Sequence, residues 1–132
     1  MTTKPKTPAT HATTIQIGLH WLADLSGVAP AALANPDAIM SCLRRALVDV
    51  EMNILAERKH EFPGGGFTGF FLLSESHAAI HTYPEAGYVA VDLFTCGVTD
   101  GRRVIDAVIA ACAPSVADVR CMERSRTVAA QK

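Results

Sequence analysis

The segment His77-Ala78-Ala79-Ile80-His81-Thr82-Tyr83-Pro84-Glu85-Ala86-Gly87-Tyr88-Val89-Ala90-Val91-Asp92-Leu93-Phe94-Thr95-Cys96 reads as two strands around a turn. Pro84-Glu85-Ala86-Gly87 has turn composition, and a connection this short joins antiparallel strands. Side chains two apart on a strand share a face, so Ala78, Ile80 and Thr82 point one way and His77, Ala79, His81 and Tyr83 the other. In the second strand Val89, Val91, Leu93 and Thr95 make the aliphatic side, opposite Tyr88, Ala90, Asp92, Phe94 and Cys96. The aliphatic side requires a covering layer of helices. The other side, mixing His, Asp, Tyr and Cys, is too polar for core and too aromatic for plain surface, the mark of a site or a subunit contact.

Two helices are available for that layer. Asn35-Pro36-Asp37 is a helix start, because an Asn cap satisfies an orphan amide and proline is tolerated in the first turn. Ile39, Met40, Leu43, Leu47 and Val50 follow at three- and four-residue spacing, with Arg44, Arg45 and Asp49 turned to water. Asp100 to Ala113 repeats the pattern with Val104, Ile105, Val108 and Ile109, and Pro114 stops it. Further strands are predicted over Ile15 to Leu25, Asn53 to Phe62, Thr68 to Ser74 and Val116 to Glu123. The order β-α-β-β-β-β-α-β predicts an α+β fold, a two-layer sandwich of an antiparallel sheet with two helices on one face.

A chain of 132 residues, 49% hydrophobic and 19% charged, fits one domain with a real core. The domain is expected over 15–126, with a flexible tail at 1–14 and a short frayed end over 127–132. A net charge of -1 sets up no field for nucleic acid or an anionic membrane, and a small-molecule substrate is the easier partner. No run approaches the ~20 apolar residues of a membrane helix, and the polar N-terminus lacks a signal core, so the expected location is cytoplasmic. Cys42, Cys96, Cys112 and Cys121 are widely spaced and read as reduced thiols.

Leu72-Leu73-Ser74-Glu75-Ser76-His77 begins as a buried strand and then sets two hydroxyls, a carboxylate and an imidazole side by side, with His81 and Glu85 close behind. Three readings compete: a half-exposed strand with incidental polar groups, a zinc site, and nucleophilic chemistry at Ser76 beside a base. Zinc ligation by His77, His81 and Cys96 is opposed by geometry, since residues four apart on a strand lie about 13 Å apart at ~3.3 Å per residue. Spacing alone does not choose among the three.

The run from Gly66 to Gly97, "GFTGFFLLSESHAAIHTYPEAGYVAVDLFTCG", closely resembles the prokaryotic S-adenosylmethionine decarboxylase proenzymes, whose hallmark is S-E-S-H-x-x-I-H-T-x-P-E followed by G-Y-x-x-V-D-x-F-T-C-G. Weaker similarity includes "GLHWLADLSG" and "HEFP", so the resemblance spans roughly Ile15 to Arg124. It implies self-cleavage between Glu75 and Ser76 and conversion of Ser76 into a covalent pyruvoyl cofactor, with no metal. That carbonyl forms a Schiff base with the substrate amine and accepts the electrons released as carbon dioxide leaves.

The resemblance also implies roles for single residues. His81 is the processing base, Thr68 supports processing where relatives often have serine, and Cys96 returns a proton to the former α-carbon. Phe62 packs on adenine, Tyr83 stands where relatives commonly have tryptophan, and Glu85 holds ribose hydroxyls or the sulfonium charge. The implied reaction converts S-adenosylmethionine to the aminopropyl donor of spermidine synthesis, in a homodimer of processed protomers. Alternatives are a decarboxylase of arginine or ornithine on the same scaffold, or a non-catalytic regulatory homologue. Packing two copies on the mixed sheet face that carries His77, His81, Tyr83, Asp92 and Phe94 would give a four-layer αββα assembly. Cys42, Cys112 and Cys121 are expected to be small buried hydrophobes.

Overall fold

The computed structural model describes residues 12–130. Its strands are β1 (Thr13–Ser26), β2 (Ile54–Glu61), β3 (Phe67–Leu73), β4 (Ser76–Tyr83), β5 (Tyr88–Cys96) and β6 (Val116–Val128), and its helices are α1 (Pro36–Asp49) and α2 (Gly101–Cys112). Short 3-10 turns occupy Pro30–Leu33 and Pro84–Ala86. The strands form one sheet in the order β2-β3-β4-β5-β1-β6, with every neighbouring pair antiparallel. The first strand therefore lies between β5 and β6, a position that its own sequence does not announce.

Each helix begins where the sequence says it should. The Asn35 side chain accepts from the Ala38 amide, and Asp100 accepts from the Arg103 amide, each satisfying an otherwise unpaired donor. The stripes Ile39, Met40, Leu43, Ala46, Leu47 and Val104, Ile105, Val108, Cys112 are buried. α2 ends at Ala113, which takes the left-handed conformation (φ 45°) ahead of Pro114.

The buried strand residues are those the alternation selects: Phe67, Phe71 and Leu73; Ala78, Ile80 and Thr82; Val89, Val91, Leu93 and Thr95. They join the two helical stripes in one core. Burying a side chain such as Phe71 contributes about 1.5–3 kcal/mol. Gly69 makes room for α1, because a Cβ there would stand 2.4 Å from Met40 Sδ. Among the described residues, no helix covers the opposite sheet face.

The first and last strands of the chain run further than their side-chain pattern implies. Thr13 and Thr14 pair with Val128 and Thr127, so the chain is strand from Thr13 and again up to Val128. The polar run Arg124-Ser125-Arg126 hides the alternation, but ladder hydrogen bonds come from the backbone and are indifferent to it. Of the expected tails, residues 1–11, 131 and 132 lie outside the described residues. No helix among the described residues is long and apolar enough to cross a membrane.

Candidate active site

The turn between β3 and β4 is tight, and Glu75 takes φ 61° within it. A non-glycine residue held there stores on the order of 1–3 kcal/mol of strain. Asn53 braces the turn: its carbonyl accepts from the Ser74 amide, and its side-chain amide donates to Ser74 Oγ at 3.0 Å. The end of β5 meets the same turn. Cys96 Sγ donates to the Glu75 carbonyl oxygen at 2.9 Å, and the Cys96 amide donates to Ser76 Oγ at 3.3 Å. Glu75, Ser76 and Cys96 thus surround one peptide bond.

Thr68, His81, Phe62, Tyr83 and Glu85 gather elsewhere. They line a cavity of about 280 Å³, together with Pro63, Gly66, Phe67 and Thr82, where β3 and β4 part. Thr68 is the cross-strand partner of His81, and its Oγ1 lies 3.0 Å from His81 Nδ1. The Phe62 ring meets His60 edge-on at 4.8 Å and is 49% exposed, leaving a face free for a ligand. Tyr83 leans on Tyr88, centroids 5.7 Å apart.

Ser76 and His81 both belong to β4. Five residues of strand put them about 16 Å apart at ~3.3 Å per residue. One chain therefore brings Ser76 to Cys96 and His81 to Thr68, but does not bring His81 to Ser76.

A further cluster on the open face escaped the sequence reading. Asp92 Oδ1 accepts from His20 Nε2 at 2.5 Å and from His77 Nε2 at 3.2 Å, and Arg124 donates to His20 Nδ1 at 3.2 Å. Asp92 and His77 were legible as face-mates, but His20 and Arg124 join them only through the pairings of β1 with β5 and β6. One ligand atom from each of His20, His77 and Asp92 lies within 4.8 Å of the other two, a spacing metals use. Arg124 argues against a metal. A guanidinium only donates, so the neutral His20 ring must accept at Nδ1 and carry its proton on Nε2, the atom a metal would need bare.

The sequence model described as S-adenosylmethionine decarboxylase matches residues 19–125. The chain is 32% identical over 115 residues to the S-adenosylmethionine decarboxylase proenzyme of Picrophilus torridus, covering 86% of this chain and 88% of that protein. It is 36% identical over 109 residues to the proenzyme of Sulfurihydrogenibium sp., covering 82% of each. The crystal structure of the adenosylmethionine decarboxylase from Aquifex aeolicus superposes with a TM-score of 0.76 at 34% identity, over 83% of this chain and 91% of that one. The chain belongs to the S-adenosylmethionine decarboxylase family.

In this S-adenosylmethionine decarboxylase homologue the remaining thiols differ from one another. Cys112 is buried between the helices, and desolvation, aided by nearby Cys42, pushes its pKa up to about 11. Cys42 is half-buried and donates to the Ala107 carbonyl at 3.7 Å. Cys121 is exposed, contrary to expectation: it lies on the edge strand β6, which has β1 as its neighbour on one side only. Tyr88 donates to Asp24, which Arg120 also contacts at 2.8 Å. That hydrogen bond, then burial and the Asp24 charge, hold the phenol above its usual pKa.

Proposed function

We propose that this chain is a proenzyme that cuts its own Glu75–Ser76 bond, turns residue 76 into a pyruvoyl group, and decarboxylates S-adenosylmethionine to the aminopropyl donor of spermidine synthesis. The observation that carries the reading is the left-handed turn at Glu75 with Cys96 on both sides of the bond. The turn suits the pyruvoyl group's origin: a serine next to a strained carbonyl whose oxygen already accepts a hydrogen bond from a thiol.

Processing follows from these positions. Ser76 Oγ adds to the Glu75 carbonyl carbon; the C–N bond breaks as the ester C–O bond forms, and the hydroxyl proton ends on the freed amine. Loss of the Ser76 Cα proton then expels the Glu75 carboxylate from Cβ, leaving residues 1–75 with a new C-terminus and dehydroalanine at 76. Its imine tautomer takes up water and releases ammonia, and a carbonyl remains. That group supplies the electron sink for loss of carbon dioxide. Cys96 touches both residues of the bond, and a thiol proton moves readily enough to be returned to carbon. Phe62 and Tyr83 offer aromatic faces to adenine, and Glu85 offers a carboxylate to ribose hydroxyls or the sulfonium. Arginine and ornithine have no ring to stack there.

The base must come from elsewhere if His81 of the same chain stands about 16 Å away along the strand. A homodimer answers this. Phe70 (40% exposed), Leu72 (45%) and Met122 (54%) on strands β3 and β6 make the open face partly apolar. In a two-fold, face-to-face pairing with β4 against β4, Ser76 of each protomer meets His81 of the partner subunit, an isologous contact. The catalytic set is then Ser76 and Cys96 from one chain with Thr68, His81, Phe62, Tyr83 and Glu85 from the other. Intact mass of the purified protein is the test: chains of 1–75 and 76–132, the second blocked to Edman degradation, with carbon dioxide released from S-adenosylmethionine and not from arginine or ornithine. An uncut, active protein would sink the reading.

A further inference from the structure

Cleavage before Ser76 would leave residue 76 at the very start of a chain, with its covalent hold reduced to the bond to His77. Whatever fixes His77 would then fix the reacting residue. His77 is held more completely than a half-exposed strand residue needs to be. Its ring lies between Phe70 (centroids 6.0 Å, interplanar angle 15°) and Phe94 (6.1 Å, 18°). Its Nε2 donates to Asp92 Oδ1, and because a carboxylate only accepts, that nitrogen carries a proton. Asp92 in turn accepts from His20, whose other nitrogen accepts from Arg124. Arg124 also lies over the Phe94 ring, 5.9 Å from its centroid. The chain Arg124–His20–Asp92–His77 crosses the consecutive strands β6, β1, β5 and β4, ending one residue from the bond to be cut.

We propose that His77 is the positioning residue of the site: stacked by Phe70 and Phe94 and tied to Asp92, it holds residue 76 against Cys96 before and after the chain is opened. The inference rests on the functional reading above. Backbone pairing alone leaves the first residue of a strand prone to fraying. The ring stack and the hydrogen bond restrain side-chain and backbone rotation at position 77, and so the direction in which residue 76 projects. Asp92 is shared between two imidazoles, so His20 and Arg124 act at one remove by keeping that carboxylate aimed at His77.

The test compares His77→Phe, which keeps a ring in the stack but removes the donor, with His77→Gln, whose side-chain amide restores a donor near the Nε2 position. Processing rate is read by intact mass, turnover as separate kcat and KM, and anchoring by hydrogen exchange of the amides at 77–79 in the processed protein. The expected result is a loss on the order of 10- to 100-fold in processing and kcat for His77→Phe, as for sub-ångström to ångström misplacement of a reacting group. KM should stay unchanged, exchange should rise at 77–79 only, and His77→Gln should recover most of the loss. Asp92→Asn supplies the same comparison from the acceptor side if His77→Phe folds poorly. Wild-type processing and kcat in His77→Phe would overturn the proposal, as would equal loss in both His77 variants accompanied only by a lower Tm. Wild-type protein that is cleaved while these variants behave normally defeats the anchor alone; wild-type protein that is never cleaved defeats the functional reading with it.

Discussion

Cys96 Sγ stands 2.9 Å from the carbonyl oxygen of Glu75, and the amide of the same residue donates to the Ser76 hydroxyl at 3.3 Å. One residue thereby touches both the electrophile and the nucleophile of the proposed processing step. In that step the thiol would lend one hydrogen bond to the carbonyl under attack.

Cys96→Ala should therefore have two effects of different size. Loss of one hydrogen bond worth about 0.5–1.5 kcal/mol slows cleavage only several-fold, because the amide contact to Ser76 remains. Turnover should be lost, since the proton carrier is gone. Time courses of chain cleavage alongside carbon dioxide release separate the two, and normal turnover by Cys96→Ala would assign the proton to another group.

Complementation should reveal the shared site. Ser76→Ala and His81→Ala should each remain mostly uncleaved alone, the second slowed by about 10²- to 10⁴-fold for loss of a general base. Co-expressed, they should form heterodimers in which the His81→Ala chain is cut, using His81 of the partner subunit. Mass spectrometry identifies which chain is cleaved. Absence of any rescue, with a dimer confirmed by light scattering, would locate the base within the same chain.

Gly18 pairs with Cys96 across β1 and β5, and a Cβ there would stand 2.4 Å from the Thr95 carbonyl oxygen. Backbone cannot move aside as a flexible side chain can. Gly18→Ala should thus displace the end of β5 and, with it, Cys96. A loss of up to about 10²-fold in processing is expected from a shift of this kind, and the readout is the fraction cleaved after a fixed time.

The thiols should separate by rate in alkylation at pH 8. With a pKa of about 11, Cys112 is only about one part in a thousand thiolate at that pH, and it is buried as well. Exposed Cys121 should be modified first, and Cys112 only on unfolding. Peptide mapping over time measures the order; early labelling of Cys112 would mean that the contact between α1 and α2 opens in the native state.

The sequence was sufficient for the layers and for the chemistry-bearing turn. Alternation in His77 to Cys96 assigned each side chain of β4 and β5 to a face, and the burial of Ala78, Ile80, Val89, Val91 and Leu93 follows it, because period two is a local property of extended backbone. Helix starts at Asn35 and Asp100 were legible for the same reason, since a cap reaches only three residues along the chain. The long motif around Glu75 and Ser76 points to the family by itself.

Tertiary structure alone decided which of these residues meet. That β1 lies between β5 and β6 is a choice among long-range pairings that no local pattern encodes, and it brings His20 and Arg124 to Asp92. Conversely, Ser76 and His81 are near in sequence yet far apart in space, because a strand carries each residue about 3.3 Å further on. Proximity along the chain makes a strand's face, whereas proximity across strands makes a site. The sequence named the groups proposed to react; the register of the sheet set Cys96 at the Glu75–Ser76 bond and His81 beside Thr68, at the other end of β4.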